Sequence, residues 1–301
     1  VFKGLPDAMD AEPVAARVRG LALWRGPVEP VPLKGGITNT NFLVEDAGRR
    51  YAVRIGHDIP VHGILRFAEL AASRAAHAAG VSPAVIHAEP GVVVFDFIEG
   101  RTFGADDVRA ELPRVVELVR RTHRDIPRHL RGPMPMFWVF HVIRDYAATL
   151  REAGSPYAAA LPAFLATAER LEAAVGAVEI VFGHNDLLPA NFIDDGRRLW
   201  LVDWDYAGFN SPLFDLGGLA SNAGFTPAEE DALLEIYYGE PVDDGLRRRF
   251  QAMLTASLLR EAMWSMVSEI HSTIDFDYRA YTDENLRRYD AALARFNEMD
   301  R

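Results

Sequence analysis

Eight consecutive residues, His184-Asn185-Asp186-Leu187-Leu188-Pro189-Ala190-Asn191, constrain this chain more than any other stretch of it. An apolar strand-like run, Ile180, Val181 and Phe182, leads into them. A second run, residues 199–204, follows the turn Asp194-Asp195-Gly196 and delivers Asp203 within Leu201-Val202-Asp203-Trp204-Asp205. An Asp, an Asn five residues on and an Asp beyond a short hairpin are thereby gathered into one compact loop. Taken singly, each is no more than a turn-shaping residue, as Asp and Asn are in many loops.

Taken together they supply what phosphoryl transfer requires. An acceptor-side carboxylate receives the hydroxyl proton, and hard oxygen ligands hold the magnesium that neutralises a triphosphate. His184 in such a loop more often supports it by hydrogen bonding than acts as a base. The composition is compatible with this chemistry and excludes others. Of 301 residues 49% are apolar and 25% charged, an ordinary globular balance whose length suits two lobes. The net charge of −11 argues against a sequence-independent grip on nucleic acid and favours a cationic small ligand. The absence of cysteine removes disulfides, thiolate nucleophiles and zinc–sulfur sites, leaving a reducing cytoplasm as the expected compartment. No secretory signal and no apolar run long enough to span a membrane is visible, so no membrane insertion is expected.

Along the chain, the first third reads as β-rich. Residues 40–44 and 51–55 form a hairpin around Asp46-Ala47-Gly48, residues 65–79 a helix stopped by Gly80, and residues 84–88 and 92–97 two further strands. After Gly100 the pattern turns helical, with segments at residues 161–175, 227–238, 243–271 and 283–298. The predicted class is therefore α+β: a β-rich N-terminal lobe over residues 1–99 and a larger, mostly helical lobe over residues 100–301.

Two N-terminal features fit a nucleotide. Gly35-Gly36-Ile37-Thr38-Asn39 precedes the hairpin, where glycines let backbone amides approach phosphate and Thr38 and Asn39 add donors. Arg54, in Tyr51-Ala52-Val53-Arg54-Ile55, stands where protein kinases place a phosphate-binding Lys, and the spacing of Asp186, Asn191 and Asp203 matches the protein-kinase catalytic loop and metal-binding Asp. A guanidinium grips phosphate in a bidentate manner, so the exchange is physically sensible.

These motifs, with Asn210, Asp215 and the segment Trp264 to Tyr281, resemble the choline/ethanolamine kinase family within the aminoglycoside phosphotransferase and protein kinase-like fold, its bacterial choline kinases above all. The resemblance runs over residues 33–289. It implies Asp186 as catalytic base, Asn191 and Asp203 as magnesium ligands, and Asp215 as a brace of the catalytic loop. It also implies Gly36, Thr38, Asn39 and Arg54 at the ATP phosphates, Glu69 as the partner of Arg54, and Phe97 and Ile98 at a hinge whose backbone meets adenine. Tyr206, Trp264 and Tyr281 match positions lining the family's choline site, where a quaternary ammonium calls for aromatic faces. Two positions depart from the animal enzymes: Asn222 near an acidic cage residue, and Glu261 in place of a second Trp, one helical turn before Trp264. The expected reaction is ATP-dependent phosphorylation of choline, ethanolamine or a related amino alcohol. Aminoglycoside, thiamine or other alcohol phosphotransfer is the alternative, and a degenerate ligand-binding homologue a further one.

Overall fold

The computed structural model describes residues 8–33, 39–272 and 274–300. In chain order the elements are α1 (Ala8–Arg19), β1 (Val31–Leu33), β2 (Thr40–Asp46), β3 (Arg49–Ile55), α2 (Arg66–Ala78), β4 (Val85–Glu89), β5 (Val92–Asp96) and β6 (Arg101–Thr102). They continue as α3 (Ala105–Ala110), α4 (Leu112–Asp125), α5 (Val139–Glu152), α6 (Leu161–Val175), β7 (Val181–Gly183), β8 (Phe192–Asp194), β9 (Leu199–Leu201) and β10 (Gly208–Asn210). The last four are α7 (Pro212–Ala223), α8 (Pro227–Tyr238), α9 (Asp244–His271) and α10 (Tyr278–Met299).

The N-terminal sheet is antiparallel, in the order β1-β2-β3-β5-β4. Its hairpin turns at Ala47 and Gly48 with both φ positive, 49° and 77°, the handedness that matches the strand twist. Alternation along β3 buries Tyr51, Val53 and Ile55 with α1, around Val18, Phe42, Val44 and Val94. Arg54 is left on the opposite face, toward the rest of the molecule. The helix α1 and the strand β1 carry no strong periodic signal in the sequence and interrupt a region read as simply β-rich.

The alanine face of α2 (Ala72, Ala75 and Ala76) packs into the larger core rather than the sheet's own cluster. This large core is built on α9, which contacts α5, α6, α7 and α10. Gly217 lets α7 lie close: a Cβ there would meet the Leu254 Cα at 3.1 Å. Among the described residues no helix is long and apolar enough to cross a membrane.

Candidate active site

The loop at residues 184–191 hangs between β7 and β8, and it is fastened from below. Asp215, in the first turn of α7, accepts the backbone N–H groups of His184 at 2.8 Å and Asn185 at 2.7 Å. His123 of α4 contacts the same carboxylate at 2.9 Å and the Tyr237 hydroxyl at 2.7 Å. Burial works to raise the Asp215 carboxyl, but His123, through its hydrogen bond above all, and His184, with its backbone amide, outweigh it and hold it below the usual carboxylate range. Ser211 is the N-cap of α7. Asn185 adopts a left-handed φ of 64°, and its amide donates to the carbonyls of Tyr206 at 2.9 Å and Gly208 at 3.2 Å. Its oxygen accepts from Asn210 at 3.1 Å. Glycine is required just before it, since a Cβ on Gly183 would stand 2.7 Å from the Asn185 Oδ1.

Fastened this way, the loop presents Asp186 and Asn191. Asn191 donates its side-chain N–H to the Asp186 carbonyl at 2.9 Å, leaving Oδ1 as its acceptor atom. His184 is fully buried, contacting the Val202 carbonyl at 3.0 Å through Nε2, and takes no position in the cleft. The strand leading to Asp203 is shorter than the expected run through Trp204. It ends at Leu201, because Asp203 turns the chain with a φ of 75°, a conformation that Asp tolerates and that recurs at functional loops.

On the N-terminal side, Arg54 Nη1 lies 2.8 Å from Glu69, 2.7 Å from Asp203 and 3.1 Å from Asp205. Arg66 Nη1 bridges Glu69 at 2.7 Å and Asp205 at 2.8 Å. Asn39 donates to the other oxygen of Asp205 at 2.8 Å. Burial alone would lower the Arg54 guanidinium, but the three carboxylates raise it well above its usual value. Sequence reading found Arg54, Glu69 and Asp203 and missed Arg66 and Asp205 as members of the cluster. The i,i+3 spacing of Arg66 and Glu69 and the Asp-Trp-Asp run were the available signals. Gly36 and Thr38 lie outside the described residues. Phe97 donates its backbone N–H to the Arg50 carbonyl at 3.2 Å, so a purine edge meeting the chain here finds no donor at Phe97; Ile98 follows it, half-buried.

Two guanidiniums thus face three carboxylates, Glu69, Asp203 and Asp205, leaving an acidic excess of one charge. Among the described residues no group of three or more His, Cys, Asp or Glu is placed to hold a metal.

Asp186 opens on a narrow cleft with room of about 20 Å³, that of a single water, shared with Asn222, Ser221, Arg260 and Glu261. Burial and the charge of Glu261 push the Asp186 carboxyl well above the usual range, with Arg260 pulling the other way. Arg260 was not singled out by the sequence, since an Arg on a helix is ordinarily solvated. Here its side chain is 5% exposed, bonded to Glu261 at 2.6 Å, with the guanidinium 4.9 Å from the Tyr206 ring centre and 5.2 Å from that of Phe137. Tyr281 donates its hydroxyl to Glu261 at 2.8 Å. Trp264 is buried, its indole N–H donating to the Tyr206 hydroxyl at 2.9 Å. His62 packs on its ring at 5.3 Å, with Tyr278 and Tyr281 around it at 6.2 Å. Asn222 donates to the Leu187 carbonyl at 3.3 Å.

A small antiparallel sheet with a paired Arg54–Glu69, a catalytic-type loop and a large helical remainder define a protein kinase-like fold. The chain belongs to the phosphotransferase enzyme family (APH), whose family model matches residues 29–251. It is 27% identical to Protein LicA of Haemophilus influenzae over 280 residues, covering 88% of this chain and 79% of that protein. Ethanolamine kinase 2 of Mus musculus is 25% identical over 298 residues, covering 88% and 74%. A solved choline/ethanolamine kinase family protein from Mesorhizobium loti superposes with a TM-score of 0.77 at 28% identity, covering 96% of this chain and 97% of that one.

Proposed function

We propose that this chain transfers the γ-phosphoryl group of ATP to the hydroxyl of a small amino alcohol, with Asp186 as the base. The observation carrying this reading is that Asp186 stands in the same cleft as Glu261 and under the electrostatic influence of Asp203 and Asp205. Asp186 thus shares its cleft with an anionic seat for an ammonium group, and the charges of Asp203 and Asp205, where phosphates would be handled, act on it. Family membership and the choline and ethanolamine kinases among its relatives support the same reading.

The acceptor oxygen attacks the γ-phosphorus as its proton passes to Asp186. The bond from phosphorus to the β,γ-bridging oxygen breaks, giving a phosphate monoester and ADP. Asp186 is suited to this task, because a base with a raised pKa takes a hydroxyl proton more readily than an ordinary carboxylate. Arg54 and Arg66 supply the cationic contacts for phosphate oxygens. Asn191 and Asp203 would hold a divalent cation, which neutralises phosphate charge when bound. Asp215 and Asn185 act through the backbone, keeping the loop in place.

A coupled ADP-release assay over ethanolamine, choline, thiamine and an aminoglycoside tests the reading. Turnover with amino alcohols and loss of it in excess chelator is the expected result. Turnover only with the aminoglycoside or thiamine would overturn it.

A further inference from the structure

The middle of α9 is buried on nearly every face, yet it carries an adjacent Arg and Glu at the cleft. Two consequences follow for a cationic acceptor. The Tyr206 face, the natural seat for a quaternary ammonium, is already occupied by the Arg260 guanidinium, and a second cation there would meet like charge in a partly buried setting. Trp264 offers no alternative, being 4% exposed and covered by His62. What remains for a cation is Glu261, whose two oxygens each accept one hydrogen bond, from Tyr281 and from Arg260, and retain a lone pair. A primary ammonium can use those lone pairs through its N–H groups; a quaternary one cannot.

The second consequence concerns Arg260 itself. Its Nε–H is buried, and none of the described residues accepts from it. An unpaired buried guanidinium N–H is costly, and an oxygen brought by a ligand would relieve that cost.

Resting on the amino-alcohol reading above, we propose that the acceptor is a protonated primary amine bearing a second oxygen besides its reacting hydroxyl. Glu261 reads the ammonium and Arg260 Nε donates to the second oxygen, a hydroxyl or a carboxylate. Asp186 takes the proton of the first.

The test ranks kcat/KM for 2-amino-1,3-propanediol, serine, ethanolamine and choline with the wild-type enzyme and with Arg260→Lys, which keeps the charge beside Glu261 but lacks the Nε donor. In the wild type, the propanediol or serine should exceed ethanolamine by roughly tenfold, the worth of one charge-assisted hydrogen bond, with choline last. Whichever of the two leads identifies the second oxygen as hydroxyl or carboxylate. Arg260→Lys should cost the two-oxygen amine roughly tenfold more than it costs ethanolamine. Ethanolamine or choline ranking first in the wild type overturns the proposal while leaving the amino-alcohol reading intact, and this holds even if the variant does not fold. An equal loss for all amines in Arg260→Lys also overturns it. Phosphorylation of no amine, with turnover on another alcohol, sinks the parent reading instead.

Discussion

On the phosphate side of the site, Arg54 and Arg66 share Glu69, Asp203 and Asp205 at 2.7–3.1 Å, so every carboxylate there has a cationic partner. On the acceptor side, Arg260 and Glu261 pair with one another but leave an N–H without an acceptor and carboxylate lone pairs unused. The first region joins the sheet, α2 and the segment after β9; the second lies almost wholly on α9 and α10. The first network ties the sheet and α2 to the segment after β9 through shared ion pairs, although a buried Arg66 Nη2 there also has no acceptor among the described residues. The second pairs within α9, and on the proposed reading its unused donor and lone pairs are where acceptor specificity resides.

Variants should separate the two regions by which constant they move. The largest effect belongs between them: Asp186→Asn should lower kcat by about 10²–10⁴-fold or more, with the KM for ATP little changed. Steady-state kinetics within about threefold of wild type would end the assignment of Asp186 as base. Next comes Asp203→Ala, which removes one of the two proposed ligands of the divalent cation. It should raise the Mg²⁺ concentration for half-maximal turnover by at least the roughly 10–100-fold that losing a ligand's supporting partner costs. Magnesium titration reads this, and an unchanged midpoint would place the ion elsewhere.

Acceptor-side changes should be smaller and should spare ATP. Asp186 must be ionised to take the proton, so kcat/KM should fall as pH drops through its raised pKa, above the usual carboxylate range. Glu261→Gln removes a charge that raises that pKa, so the acid limb should move to lower pH. A limb that stays fixed would remove Glu261 from the neighbourhood of the base. Trp264→Phe keeps a ring but loses the N–H donated to Tyr206, a bond worth about 0.5–1.5 kcal/mol. The acceptor KM should rise a few-fold with the ATP KM unmoved; equal movement of both would make Trp264 a general core residue.

The same contrast explains what the sequence makes legible. Helices α6 (Leu161–Val175) and α8 (Pro227–Tyr238) start and stop where the sequence pattern indicates, and the hairpin at Ala47-Gly48 follows from turn chemistry. The catalytic-type loop is equally readable because its groups are held within a short contiguous stretch. Arg66, Asp205, His123 and Arg260 are different. Each looks like an ordinary polar residue along the chain, and partners of these residues lie up to 166 residues away. Arg260 shows the limit most clearly: only folding reveals that this helical Arg is stacked on Phe137 and Tyr206 rather than dissolved in water.

The most direct test of the central claim is product stoichiometry, followed by ³¹P NMR with ATP, Mg²⁺ and an amino alcohol. One phosphate monoester should form for each ADP, with no appreciable inorganic phosphate, and neither product should form with Asp186→Asn. ADP accompanied by inorganic phosphate instead of the ester would make the enzyme a hydrolase and contradict the account.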